Sequence, residues 1–177
     1  MPLNKLLLIP VFFVFIGCAT VPKYDRSDFT AIKTLNDLNG EYDNYPLADT
    51  VRDYQTISRI INWKANKTDT AKVLKIEIDA SESSLKLITH KSNGEHAVKN
   101  IRGKLTEHGF VKLKNRNLRL TGIPYILGYY DLKKVELGLT KEKDLIINGV
   151  EKGEGALLFI FGYGPPKHEF QFTYRRK

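Results

Sequence analysis

The four histidines are the residues of this chain whose chemistry best suits holding a metal ion or moving a proton: His90, His96, His108 and His168. His90 and His96 flank the turn signal Asn93-Gly94, so a hairpin there would bring the two rings together. A metal site needs a third ligand, and the nearest acid, Glu95, lies in the turn itself. Exposed hairpin histidines are the ordinary result of such a spacing. The sequence therefore predicts no metal site and no cofactor.

Paired carboxylates are a second candidate for chemistry. Glu77 and Asp79 alternate along the chain with three apolar residues, Leu74, Ile76 and Ile78. In a strand this alternation places both acids on the polar face, where we expect them to point to water. Glu151 and Glu154 lie in a glycine-rich segment, where solvated charges are usual. The serine hydrolase motif Gly-x-Ser-x-Gly and the zinc motif His-Glu-x-x-His are absent from the sequence. We therefore predict no catalytic residue and no enzymatic activity.

The only cysteine, Cys18, directly follows an apolar segment. Residues 6–16 are apolar apart from the break at Pro10, and Lys5 gives the start of the chain a positive charge. The segment is shorter than the roughly 20 residues that a membrane-spanning helix needs, but it is typical of a signal peptide. With one cysteine, no intramolecular disulfide can form.

The residues around Cys18 indicate what its thiol is for. Phe15-Ile16-Gly17-Cys18 resembles the bacterial lipobox, in which the cysteine takes up a diacylglycerol and becomes the new N-terminus. The reaction requires a thiol because sulfur is the nucleophile. Ala19 follows in place of the aspartate that retains lipoproteins at the inner membrane of enteric bacteria. We predict a signal peptide over residues 1–17, a lipidated tether over 18–28, one domain over 29–177, and lipid anchoring in the outer membrane of a bacterial envelope.

The chain is basic, with a formal net charge of +8, and its bases are concentrated in one region. An envelope location argues against a nucleic acid partner and favours anionic lipid head groups. Between Lys99 and Arg119 lie seven bases and one acid, Glu107. A hairpin turn at residues 107–109 would place four of the bases on one face: Arg102, Lys104, Lys112 and Lys114. This face either contacts an anionic partner or is a solvated face that protects a sheet edge from aggregation.

The hydrophobic period divides the domain into two parts. Apolar residues at helical spacing predict short helices over residues 29–38 and 49–63. From residue 72 the period becomes two, and short alternating segments are separated by turn signals, which include Asn148-Gly149 and Gly153–Gly155. Roughly eight to ten such strands do not form an open flat sheet. We therefore predict a mainly β fold, an antiparallel meander closed into a barrel or sandwich after one or two short helices.

Two segments depart from the alternation. Residues 125–130 (YILGYY) and 156–164 (ALLFIFGYG) are apolar at consecutive positions, which predicts strands that are apolar on both faces. Either the N-terminal helices cover these strands from outside, or they form an apolar surface that contacts a membrane or a partner.

A family resemblance follows from both ends of the domain. Leu38-Asn39-Gly40-Glu41-Tyr42 follows the first predicted helix, and Arg175 and Arg176 follow the last predicted strand, residues 170–174. Lipocalins carry Gly-x-Trp at the first position and, at the second, an arginine that stacks across the aromatic ring. With its lipobox, the chain resembles the lipocalin-like lipoproteins of the Bacteroidota, with Tyr42 in place of the tryptophan. The resemblance implies a meander closed into a lipocalin-like barrel and says little about an activity.

Two non-enzymatic functions are compatible with these patterns. In the first, the barrel binds a small apolar ligand or lipid between inward residues, for which we predict Ile76, Leu87, Leu137 and Phe172. In the second, side chains fill the barrel, and the lipoprotein is an accessory or scaffold protein that docks on an envelope protein complex. The first function requires a cavity of roughly a few hundred Å³, whereas the many large inward residues favour a filled interior.

Overall fold

The computed structural model of the protein describes residues 28–47, 55–61, 73–81, 83–114, 118–123, 127–157, 160–163 and 167–177. The predicted signal peptide, Cys18 and all of the tether except Asp28 lie outside these residues, as does most of the second predicted helix. Within the described residues, no helix is long and apolar enough to cross a membrane.

Eleven strands and two short helices make up the described part of the chain. The strands are β1 (Phe29–Thr30), β2 (Gly40–Asp43), β3 (Val73–Ala80), β4 (Ser84–Lys91), β5 (His96–Leu105), β6 (Val111–Leu113), β7 (Leu118–Ile123), β8 (Leu127–Thr140), β9 (Leu145–Leu157), β10 (Ile160–Tyr163) and β11 (His168–Tyr174). A 3-10 helix spans Leu35–Leu38, and the α-helix α1 spans Ile57–Ile61. The prediction of a mainly β fold with short N-terminal helices is confirmed.

All pairings in the sheet are antiparallel, and its eight-strand path runs β10-β9-β8-β6-β5-β4-β3-β2. The remaining strands pair with the two long strands inside this path: β1 and β7 lie along the same edge of β8 as β6, and β11 lies along the same edge of β9 as β10. The sheet curls into an open half-barrel, as its many strands require. The closed barrel that the sequence predicts is therefore not what the ladders form.

The two edges of the half-barrel approach one another through very few backbone contacts. An isolated antiparallel bridge pairs Tyr42 in β2 with Arg176, just beyond β11. Three backbone hydrogen bonds join the same two regions: Asp43 N–H to the Arg175 carbonyl at 2.9 Å, Lys177 N–H to the Glu41 carbonyl at 2.9 Å, and Leu47 N–H to the Thr173 carbonyl at 2.7 Å. We call this region the seam.

Side chains fill the concave side of the half-barrel because the period-two pattern turns every second residue inward. Both short helices add to this core. Leu35 and Leu38 of the 3-10 helix are buried, as are Ile57, Ile60 and Ile61 of α1. The strands supply most of the other members: Tyr42, Ile76, Ile78, Ala80, Leu85, Leu87, Ile101, Val111, Leu113, Val135, Leu137, Leu139, Leu145, Ile147, Phe170 and Tyr174. One continuous apolar core therefore lies inside the curled sheet.

Two of the predicted turns were wrong. Asn148-Gly149 and Gly153–Gly155 lie inside β9, whereas Asn93-Gly94 and His108-Gly109 do form turns, with positive φ at both glycines. Gly149 is the ladder partner of Phe170, and a Cβ at residue 149 would overlap the Phe170 ring. The glycine therefore serves close packing of an aromatic ring on the sheet and not a change of chain direction.

Arg176 holds the seam through its side chain as well as its backbone. Its Nη2 donates a hydrogen bond to the Asn39 carbonyl at 2.6 Å, and its guanidinium lies over Gly40, where a Cβ would come within 2.9 Å of Nε. The Tyr42 hydroxyl donates to the Leu38 carbonyl at 2.9 Å, and burial raises the pKa of Tyr42 to about 12. Of the two arginines that follow the last strand, Arg176 makes these contacts and Arg175 is exposed.

Replacing Arg176 should weaken the seam. We expect Arg176→Ala to lower the free energy of unfolding by about 1–3 kcal/mol, because it leaves the Asn39 carbonyl without a charged donor. Arg175→Ala is the matched control, since its exposed side chain can be removed while its backbone hydrogen bond stays, and we expect a change within about 0.5 kcal/mol. Urea denaturation measures both, and equal effects would contradict the role given to Arg176.

Candidate functional site

A cavity of about 370 Å³ lies between α1 and the inward faces of three strands, β8, β9 and β11. Its size falls in the range of roughly 300–1,000 Å³ that is usual for small-molecule sites. Apolar and charged side chains both line it: Arg59, Ile60, Lys133, Glu151, His168, Phe170 and Phe172. The cavity is the candidate binding site of the described part of the chain.

Strand β11 supplies the aromatic wall of the cavity. His168, Phe170 and Phe172 alternate with outward residues, so period two turns all three toward the same side. Their rings stack in sequence, with centroids 6.4 Å apart for His168 and Phe170 and 5.6 Å apart for Phe170 and Phe172. Gly149 in β9 leaves room for the Phe170 ring to lie against the sheet. The result is a flat apolar surface that can contact the body of an organic ligand.

An ion pair between β8 and β9 forms a second wall. Lys133 and Glu151 are ladder partners, and the Lys133 ammonium donates a hydrogen bond to the Glu151 carboxylate. Lys133 is only 7% exposed, and its Nζ lies 5.2 Å from the centre of the Phe170 ring. Burial lowers the pKa of Lys133, and Glu151 opposes this effect. A buried ammonium is expensive without a carboxylate partner, so Glu151 is required to keep Lys133 charged inside the domain.

Arg59 brings a second cation to the cavity from α1. Its positive charge also contributes to the lowered pKa of Lys133, so the two cations are close enough to repel. The Nη1 atom of Arg59 is buried and has no hydrogen-bond acceptor among the described residues. Because buried polar atoms are nearly always hydrogen-bonded, this donor marks a position where an acceptor is missing.

The structure brings only one of the four predicted ligand-lining residues to the cavity. Phe172 lines it, whereas Ile76, Leu87 and Leu137 are at most 3% exposed within the apolar core. Lys133 and Glu151 were not predicted as site residues, although the sequence carries a signal for Lys133. Lys133 has the same parity as the predicted inward residues of its strand, Val135, Leu137 and Leu139, so the inward face continues from the core into a charged position.

The basic residues predicted to share one face do lie together. Arg102, Lys104, Lys112 and Lys114 are all exposed on the neighbouring strands β5 and β6 or directly after them. Lys104 is the ladder partner of Lys112, and the Lys114 N–H donates to the Arg102 carbonyl at 2.7 Å. Lys112 also faces Glu136 across the ladder to β8, so one acid borders this basic face. The contact with an anionic surface stays a prediction.

The two histidines at the hairpin lie close together, as their spacing suggests, but the acids near them are not the one that the sequence offered. His90 and His96 are ladder partners whose ring centroids lie 4.7 Å apart. Ligand atoms of Glu41, Glu77 and His90, on three adjacent strands, lie within 4.8 Å of one another. Lys75 already contacts both Glu41 oxygens at 2.8 Å and supplies the positive charge there. The sequence-based candidate Glu95 pairs with Lys91 instead, at 3.1 Å.

Removing the carboxylate of the buried ion pair should destabilise the domain. We expect Glu151→Gln to lower the free energy of unfolding by about 1–3 kcal/mol, because the buried Lys133 ammonium loses its counter-charge. Glu169→Gln is the control on the neighbouring strand, where Lys167 and Glu169 form an exposed ion pair. For that pair we expect a loss of at most about 0.5 kcal/mol. Chemical denaturation tests the difference, and a Glu151→Gln protein as stable as the Glu169→Gln protein would argue against the assignment.

Comparison with known proteins finds no matching family model, no matching curated protein and no matching solved structure. The resemblance to lipocalin-like lipoproteins therefore stays a prediction, and the function has to be inferred from the side chains of the chain itself.

Proposed function

We propose that this protein is a lipid-anchored lipoprotein of a bacterial envelope whose lipocalin-like domain binds a small apolar ligand or lipid. The observation that carries the proposal is the cavity of about 370 Å³ with its stacked aromatic wall. A ligand in this cavity would cover the partly exposed ring of Phe172, beside the buried side chains of Ile60 and Phe170, and so remove apolar surface from water, at roughly 25 cal/mol per Å². Binding of this kind requires no catalytic group, and the proposed role is not enzymatic.

The lipocalin-like assignment has structural support at the seam. A 3-10 helix precedes β2, and Tyr42 lies two residues after Gly40 in this strand. The side chain of Arg176 donates a hydrogen bond to the Asn39 carbonyl. The lipocalin pattern described above places an aromatic residue and an arginine in these two positions. The seam of the half-barrel is also where the strands of a closed lipocalin barrel would continue their pairing.

The anchor rests on the residues around Cys18. A thiol that carries two or three acyl chains attaches a protein firmly, whereas a single chain gives only marginal binding. The envelope membrane is then the first partner of the protein, through its N-terminal lipid, and Ala19 directs it to the outer membrane. The exposed bases Arg102, Lys104, Lys112 and Lys114 add an attraction to anionic head groups.

Loss of the thiol should release the protein from the membrane. We expect Cys18→Ala to move the protein from the detergent phase to the aqueous phase in detergent phase separation of whole cells, because no acyl chain can be attached. Ala19→Ser, which keeps the cysteine and the small neighbour, is the control and should stay in the detergent phase. A Cys18→Ala protein that still partitions with membrane proteins would refute lipid attachment at this residue.

The second candidate is an accessory or scaffold lipoprotein that docks on an envelope protein complex. Ile76, Leu87 and Leu137 fill the interior and leave no space beside them, which favours this role. The sheet also pairs two apolar segments of the sequence, since Leu127 is the ladder partner of Leu157 and Ile160 pairs with Leu157 from the other side. Where such apolar segments are exposed, they are typical of a protein contact.

Native mass spectrometry of the lipoprotein purified gently from its own envelope separates the two candidates. We expect an adduct of constant mass whose occupancy falls in Phe172→Trp, because the larger ring in the wall of the cavity takes space from the ligand. Leu47→Trp is the control, since it adds the same ring at an exposed position, and it should retain the adduct. A clean apo mass in the unmodified protein would favour the docking role.

A further inference from the structure

We propose that the ligand carries a carboxylate head group, which Arg59 and Lys133 bind together while its apolar body lies along the aromatic wall. The inference rests on the proposed function, because it identifies the chemical class of a ligand in the same cavity. It comes from the distribution of charge around the cavity and not from its size.

The charges that line the cavity do not balance. Arg59 and Lys133 each carry a positive charge, and Glu151 is the only carboxylate among the lining residues that the structure describes. His168 lies at the exposed end of the aromatic wall and adds no negative charge. One monoanion would neutralise the remaining positive charge, whereas a cationic ligand would add to the repulsion between Arg59 and Lys133.

The unsatisfied donor of Arg59 supports the same conclusion by a separate observation. Nη1 is buried and has no acceptor within the described part of the chain. A guanidinium presents its donors in a planar fork that matches a carboxylate, and such hydrogen bonds are stronger than neutral ones. A carboxylate oxygen at this position would supply the missing acceptor.

The arrangement of the lining residues fixes the orientation of the ligand. The apolar side chains Ile60, Phe170 and Phe172 lie beside the charged group, and Lys133 Nζ is 5.2 Å from the Phe170 ring centre. The charged head group and the apolar body of one small amphipathic molecule can therefore bind next to each other in the cavity. A purely apolar ligand would leave the Arg59 donor buried and unpaired.

Glu151 is a competitor of the ligand in this arrangement. Its side chain is 39% exposed, so the carboxylate can turn toward water while Lys133, at 7%, stays inside. A bound carboxylate would share or replace the contact of Glu151 with the Lys133 ammonium. Removal of the Glu151 charge should therefore tighten the binding of an anion even though it destabilises the free protein.

Three probes with the same ten-carbon chain test the head group: decanoate, 1-decanol and decyltrimethylammonium. Their affinities are measured by equilibrium dialysis against the lipoprotein in neutral phosphatidylcholine nanodiscs, with empty nanodiscs as the background. We expect decanoate to bind about tenfold or more tightly than decanol, as a charge-assisted hydrogen bond to the buried Nη1 of Arg59 implies. The ammonium should bind most weakly.

Variants then locate the head group. Arg59→Gln should weaken decanoate about tenfold and change decanol less than about twofold, whereas Glu151→Gln should tighten decanoate. Lys134→Gln is the control, because Lys134 lies next to Lys133 on β8 but on the opposite face. The retained affinity for decanol shows that each variant is folded. If Arg59→Gln does not fold, the sign of the Glu151→Gln effect decides.

The outcomes separate the inference from the proposed function. No binding of any probe above empty nanodiscs would overturn the proposed function itself. Decanol bound as tightly as decanoate would leave the apolar site intact and overturn the carboxylate assignment, and so would a preference for the ammonium. Weaker decanoate binding in Glu151→Gln would also overturn it, because the competing charge would then be part of the site.

Discussion

The long antiparallel ladder between β8 and β9 is the constraint on which the core and the candidate site both depend. It pairs residues without interruption from Leu127 with Leu157 to Leu139 with Leu145. Because side chains alternate strictly along such a ladder, the inward face that buries Val135 and Leu137 must continue at Lys133. Lys133 therefore lies inside the domain, next to the core residues of its strand. The register of the same ladder places its partner Glu151 opposite it.

Core and cavity are consecutive parts of one face. Where the inward residues are aliphatic, they are buried in one core, as Leu87 and Leu137 are. Where they become Lys133 and Glu151, a cavity remains beside the aromatic rings of β11. Arg59 reaches this boundary because α1 packs its isoleucines into the core beside it. The change in residue type along the strands therefore decides which half of the interior is filled.

Much of the fold was predictable from residue types, because period two is a local property. Strands β3, β4, β6 and β11 lie where alternation places them, and short helices precede them. The local sequence wrongly predicted a turn at Gly149. A glycine is needed there because it leaves room for the ring of Phe170, which lies 21 positions later in a neighbouring strand. The same holds for the site. The inward position of Lys133 can be predicted from the alternation along its strand. No spacing rule places Arg59, which lies in a short helix, beside strands β8 and β9, because this contact forms only in the folded domain.

The seam has a consequence for the order in which the molecule is assembled. The hydrogen bond from Arg176 to the Asn39 carbonyl joins residues 137 positions apart, and the neighbouring backbone bonds span similar separations. Contacts of such long range form late and slowly, since the intervening chain must first be ordered. The part of the sheet from β3 to β9 consists of pairings between strands that are close in the sequence, and it can form as soon as these segments are synthesised. The two edges of the sheet can meet only after residue 177 is present, so the last step of folding follows synthesis of all the strands.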